Sequence, residues 1–271
     1  MIDLSAKNIN KKKLLMSSLR VQRRVIGALL LRELITRYGR YNLGFLWLFI
    51  EPMIFAAGIT LLWSYMGLAK GGLSVAAFAI TGYSALVVWR NMVNRLSGAV
   101  PGNIGLLYHQ QVKVFDLIAT RAILEIAACT VSLITLTLLF TSLNLMTLPV
   151  DPLMALTGWF MICWFVLGAG FIGAYLGSLS EIFDRVWHVF MYLSLPFTGA
   201  FFMVSWLPPA AQEIVLWSPL VNGVEMLREG YFGAGVDARY SVSYLIEANS
   251  ITLLIGLLLI RKLKRMISAE G

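Results

Sequence analysis

Charge is scarce in this chain, and so are histidine and cysteine. Asp, Glu, Lys and Arg together make up 13% of its 271 residues, about half the share in an ordinary soluble domain. Its two histidines, His109 and His188, stand in different predicted segments, and its two cysteines, Cys129 and Cys163, fall inside apolar stretches. Two thiols and two scattered imidazoles do not assemble a tetrahedral metal site, so the cysteines read as inert packing residues. No GxxxxGK[ST] loop occurs, and ATP therefore cannot be cradled by that route. HExxH, CxxC and GxSxG are absent too, and the carboxylates are scattered, which argues against a metalloprotease, a triad hydrolase or a membrane-embedded glycosyl- or acyltransferase. No internal repeat of the kind common in secondary transporters is evident.

Apolar residues are what the chain has, at 59%. The hydrophobic runs predict an all-α polytopic membrane protein with six spans, at 43–68, 73–93, 117–143, 153–179, 186–206 and 244–260. With both termini cytoplasmic, Lys70, Arg228 and Arg239 are the only members of the 22 Lys and Arg placed outside. That asymmetry is the positive-inside pattern. The net charge of +8 is met by anionic headgroups, and no basic, aromatic-interleaved patch points to nucleic acid. Trp47, Trp63, Trp89, Trp187 and Trp206 fall near span ends, as an aromatic belt requires.

Residues 1–25 read as a basic cytoplasmic tail without a cleavage site, expected to stay on the protein. Residues 26–42 follow as an amphipathic interfacial helix, with Leu30, Leu31, Leu34, Ile35 and Tyr38 on one face and Arg32, Glu33, Thr36 and Arg37 opposite. Residues 43–265 form the transmembrane domain. Glu51 lies a little over two turns into the first span, beside a bend at Pro52. A charge at such a depth is costly unless paired or hydrated, so Glu51 is expected to pair with Arg121 or Arg90. Arg121 and Glu125, four residues apart on one helix face, are expected to pair with each other. Gly168, Gly170, Gly173 and Gly177 mark the fourth span as a close-packing helix. Residues 94–116 are the longest cytoplasmic stretch between spans and suit a short helix near Pro101 and Gly105. Residues 207–243 are too broken for one span. They fit two short re-entrant helices or, alternatively, an external loop with one surface helix.

Three stretches in order carry a resemblance: Arg32 to Pro52, containing TRYGR and LGFLWLFIEP; GLLYHQQVKVFDLIATRAILE at Gly105 to Glu125; and LWSPLVNGVEMLRE at Leu216 to Glu229. Together the chain resembles the capsular polysaccharide export permease of Gram-negative bacteria, the transmembrane subunit of a type-2 ABC exporter. It departs from the usual pattern at Gln111 and Val114, where prolines tend to occur, and at Ser218, where Asn tends to precede the proline. Permeases for O-antigen or teichoic acid share the architecture, and a small-amphiphile exporter is a further alternative.

The resemblance implies an inner-membrane homodimer bound by two copies of a separate cytoplasmic ATPase, which would hold the ATP and Mg; none is expected on this chain. It also implies a periplasmic polysaccharide co-polymerase and an outer-membrane channel as partners, and a lipid-linked polysaccharide as cargo. The helix coupling to the ATPase would lie within Ser97 to Tyr108, presenting Ile104, Gly105, Leu106 and Leu107. The paired re-entrant helices would be Pro208 to Gly230. For a polar, acidic cargo, Arg32, Arg37, Arg40, Arg90 and Arg95 supply forked donors. Tyr38, Tyr41, Tyr83, Trp89 and Tyr192 supply planar faces against sugars. Glu51, Arg121 and Arg228 complete the candidate path. Positive-inside bias and the aromatic belt account for the same residues one by one.

Overall fold

A computed structural model describes residues 20–36, 43–65, 74–107, 112–180 and 182–270. Every regular element among them is helical. Helix α1 covers 20–36. It is followed by α2 (Leu43–Tyr65), α3 (Val75–Ser97) and, after a 3-10 turn at Pro101–Asn103, the short α4 (Ile104–Leu107). Next come α5 (Val114–Ser142), α6 (Pro152–Leu179) and α7 (Ile182–Ser194). Two short helices, α8 (Pro209–Val215) and α9 (Pro219–Phe232), precede the terminal α10 (Val242–Glu270). Among the described residues, α5, α6 and α10 are the helices long and apolar enough to cross a membrane by length and composition.

Helix α6 is the axis of the bundle. Its start is set by Asp151, whose carboxylate accepts the Met154 amide at 2.9 Å, with Pro152 in the first turn. Its glycines bring three other helices to backbone distance. A Cβ on Gly173 would lie 2.6 Å from Val93 Cγ1, and one on Gly177 would lie 2.7 Å from Ser97 Cβ, so this pair seats α3. Gly158 faces Leu227 of α9, and Gly168 faces Leu253 of α10. Small residues serve here because two helices of lipid-like composition gain little from hydrophobicity and hold by close packing instead. Asn249 of α10 adds a polar tie: it is fully buried and donates to the Met161 carbonyl of α6 at 3.0 Å. Helix α3 is buried along its whole length from Val75 to Trp89. By contrast, α2 packs on α3 and α5 at the edge, with Ala56 as its one buried side chain among those described.

One sequence expectation changes. The stretch 186–206 is not one helix, because α7 ends at Ser194 and gives way to a 3-10 turn, Leu195–Phe197. Pro196 has no N–H for the helical ladder, and Gly199 sits at φ 71°, a region that favours glycine. Trp206 then lies on a separate 3-10 turn, Val204–Trp206. Helix α10 contains the whole expected span 244–260 and continues past it. It runs on through Arg261, Lys262, Lys264 and Arg265, all exposed. Those charges mark the end of an apolar stretch, but Lys and Arg are good helix formers and give the backbone no reason to break.

Candidate functional site

The end of the bundle that carries α4 is built from the C-terminal turn of α3, the first turns of α5 and the polar side of α1. Gln22 donates to Asp116 at 2.9 Å, and Arg32 Nη1 donates to the Asn103 side-chain oxygen at 2.9 Å. Arg121 of α5 donates through Nε to Glu33 at 3.1 Å and through Nη1 to the Arg95 carbonyl at 2.9 Å. With its polar residues so engaged, α1 leaves Leu31 and Ile35 61% and 62% exposed on the side away from the protein.

The expected Arg121–Glu125 pair gives way to these partners. Glu125 is buried and stands 3.9 Å from Arg95 Nε, with the Cys129 thiol donating to it at 3.7 Å. Spacing along one helix allows a pair, but α1 and α3 bring Glu33 and Arg95 closer. In the segment after α3, Ser97 is buried against α6, Leu107 packs on the main core, and Leu106 is half-buried. Ile104, at 55%, and Gly105 are exposed, as are Pro101 and Gly102 before them. Tyr108 lies outside the described residues.

A second cluster sits between α2 and α3. Glu51 Oε1 receives the Tyr83 hydroxyl at 2.9 Å and Arg90 Nη2 at 2.5 Å. Of the two partners considered for Glu51, the fold brings Arg90, because α2 lies directly along α3. Each charge in such a helix costs about 3 kcal/mol on insertion scales, and pairing offsets part of that. Phe55 stacks on Tyr83 with centroids 4.0 Å apart. One residue before Arg90, Trp89 stacks on Phe165 and meets Trp187 edge-on, with its indole N–H 3.5 Å from the Ser194 hydroxyl.

Residues 24–232 match the family model described as ABC-2 type transporter. The chain belongs to this family. It is 40% identical over 254 residues to the capsule polysaccharide export inner-membrane protein CtrC of Neisseria meningitidis serogroup B, covering 93% of this chain and 96% of the relative. It is 38% identical over the same shares to the capsule polysaccharide export inner-membrane protein BexB of Haemophilus influenzae. The polysialic acid transport protein KpsM of Escherichia coli is 28% identical over 246 residues, covering 90% of this chain and 95% of that protein.

In this ABC-2 chain the remaining candidates separate by position. Tyr192 is 75% exposed on α7, whereas Tyr83 and Trp89 are buried. Arg37, Tyr38, Arg40 and Tyr41 lie outside the described residues.

Arg228, an arginine set on the outer side of the path by sequence, is wholly buried in α9. It donates to the carbonyls of Gly199, Ala200 and Phe202 at 2.8, 2.8 and 2.6 Å, with its guanidinium 3.7 Å above the Phe78 ring. One turn earlier, Glu225 accepts the amides of Val204 and Arg239 at 3.1 and 2.9 Å. Together the two charges pin the irregular stretch 199–204 against α3 and α9. Gly82 leaves the room, since a Cβ there would lie 2.7 Å from Arg228 Nη2. The sequence signal for this strut was a Glu-x-x-Arg pair on a predicted helix, downstream of a Pro and Gly break.

Proposed function

We propose that this chain is the transmembrane permease subunit of an ATP-driven exporter moving lipid-linked, acidic capsular polysaccharide across the bacterial inner membrane. The observation that carries the reading is 40% identity to CtrC over 93% of the chain and 96% of that relative. The chain works as a pair, each copy with its own cytoplasmic ATPase subunit docked at the Ile104–Gly105 turn. ATP and Mg are handled there, outside this chain. Its outer side meets a polysaccharide co-polymerase and, beyond it, an outer-membrane channel.

Both termini lie in the cytoplasm, and six passes carry the chain between them. The fifth is the broken one through α7 and the 3-10 turns, and α8 and α9 form the re-entrant pair. The near-complete burial of α9 supports this placement, since irregular backbone at membrane depth is tolerated when enclosed by protein.

The test is complementation of a capsulated strain deleted for its own permease but retaining the ATPase. Surface uronic or sialic acid should return with this chain. Surface polymer that stays absent while the chain is inserted and bound to the ATPase would overturn the reading.

A further inference from the structure

The seam between α2 and α3 already holds a carboxylate in a binding pair. Tyr83 and Arg90 stand about two turns apart on one face of α3, and both donate to the same oxygen of Glu51, at 2.9 and 2.5 Å. A phenol and a guanidinium converging on one oxygen would receive a foreign carboxylate or phosphate equally well. The resident contact is a weak version of what Arg90 can make. Glu51 takes Nη2 through a single oxygen, while Arg90 Nε is turned to Asn91 at 3.4 Å. An anion that engages the guanidinium with two oxygens forms the stronger, forked pair.

The site is also reachable. The side chains of Arg90 and Glu51 remain 36% and 31% exposed, and intramembrane charges face water or protein rather than acyl chains. Beside them the Phe55 ring lies on Tyr83 and 6.1 Å from Phe201, apolar faces of the kind that meet sugar rings. Around the pair, Met53, Phe55 and Ile59 of α2 are partly buried against the core, while Ile54 and Leu61 are exposed.

We infer that Glu51 is a built-in stand-in for an anionic group of the cargo, and that a carboxylate or phosphate displaces it from Arg90 and Tyr83. Arg90 then reads the charge of the polymer, Tyr83 aligns it, and Glu51 occupies the pair when no anion is present. The inference rests on the proposed export of an acidic polymer.

Its first test needs no export. The full-length chain is placed in neutral phosphatidylcholine nanodiscs and titrated with hyaluronan oligosaccharides, which carry a carboxylate on alternate sugars, or with neutral dextran oligosaccharides. A parallel set of nanodiscs contains phosphatidylglycerol, so that a lipid phosphate is offered in place of a sugar carboxylate. Glu51→Gln keeps an oxygen for Tyr83 and Arg90 but removes the competing charge. If the resident carboxylate leaves the pair free only about a tenth of the time, anion affinity rises about tenfold in this variant. Dextran affinity stays as it was, and Arg90→Gln abolishes the gain. A gain with hyaluronan assigns the site to the polymer, and a gain confined to phosphatidylglycerol assigns it to the lipid end. Equal affinity of wild type and Glu51→Gln for both anions overturns the inference.

The second test is a charge exchange, Glu51→Arg with Arg90→Glu, in the capsule-deficient strain. The exchanged pair still ties α2 to α3, but the cargo now meets a carboxylate on α3. Loss of surface polymer with normal membrane insertion and ATPase binding is expected, and full export contradicts the inference. If the unaltered chain itself restores no capsule, the proposed function fails instead, and the nanodisc titration still decides whether the seam binds anions.

Discussion

Arg32 of α1 donates to Asn103 at 2.9 Å, and Asn103 in turn donates to the Ala99 carbonyl at 3.0 Å, so α1 is hydrogen-bonded to the turn that leads into α4. The two residues are 71 positions apart. Movement of the turn is expected to reach α1 through this contact and through the Glu33–Arg121 pair beside it. Arg32→Ala and Asn103→Leu are expected to lower export alike, with ATPase binding retained, and the double variant should be no worse than either single one. Amide hydrogen exchange of residues 20–36 should quicken in both. Independent, additive losses would show that the contact transmits nothing.

Ile104 offers the cleaner test of the proposed ATPase-docking surface. Leu107 packs on the main core and Leu106 is half-buried, so charges placed there disturb folding as well as docking. Ile104→Asp, at a side chain 55% exposed, should leave thermal stability within about 0.5 kcal/mol of wild type. Co-purification of the ATPase should fall several-fold. Normal recovery of the complex would place docking elsewhere.

The Glu33–Arg121 bridge, at 3.1 Å with side chains 20% and 21% exposed, is only partly sheltered. Its coupling energy from a double-mutant cycle should be about 1 kcal/mol and should shrink in high salt. Arg121→Met should cost more than Glu33→Ala, because it also strips the donor from the Arg95 carbonyl. Salt-independent coupling would mean that the pair is more enclosed than its exposure indicates.

Arg228→Lys is the sharpest stability prediction. A single ammonium cannot span the three carbonyls of Gly199, Ala200 and Phe202 that the guanidinium holds. A loss of about 3 kcal/mol is expected, read as a lowered melting temperature and poor membrane yield. Gly82→Ala should act in the same direction by crowding Arg228 Nη2. A lysine variant as stable as wild type would remove the strut.

The residues that carry the resemblance were legible because they reflect local chemistry. Helices α5, α6 and α10 follow from long apolar runs, and the Gly173–Gly177 spacing already marked a close-packing face. The break near Pro196 and Gly199 was visible as residue types, but not its consequence. A hydropathy run counts apolar residues and is blind to whether the backbone between them stays helical.

Charge placement was half readable. Residue order alone established that Glu51, Arg90, Arg121 and Glu125 are unusual in apolar surroundings, because a charge in that setting must find a partner or water. Which partner each one takes was decided by tertiary structure. Helix α2 lies along α3 and presents Glu51 to Arg90, while α1 lies across α5 and draws Arg121 away from Glu125. Arg228 shows the same limit from the other side. Sequence supplied a cation in a broken segment, and only the fold of that segment against α3 turned its carbonyls inward to receive the guanidinium. Periodicity reports which face of a helix is apolar. Pairing across tens of residues depends on distances that exist only once the helices have packed.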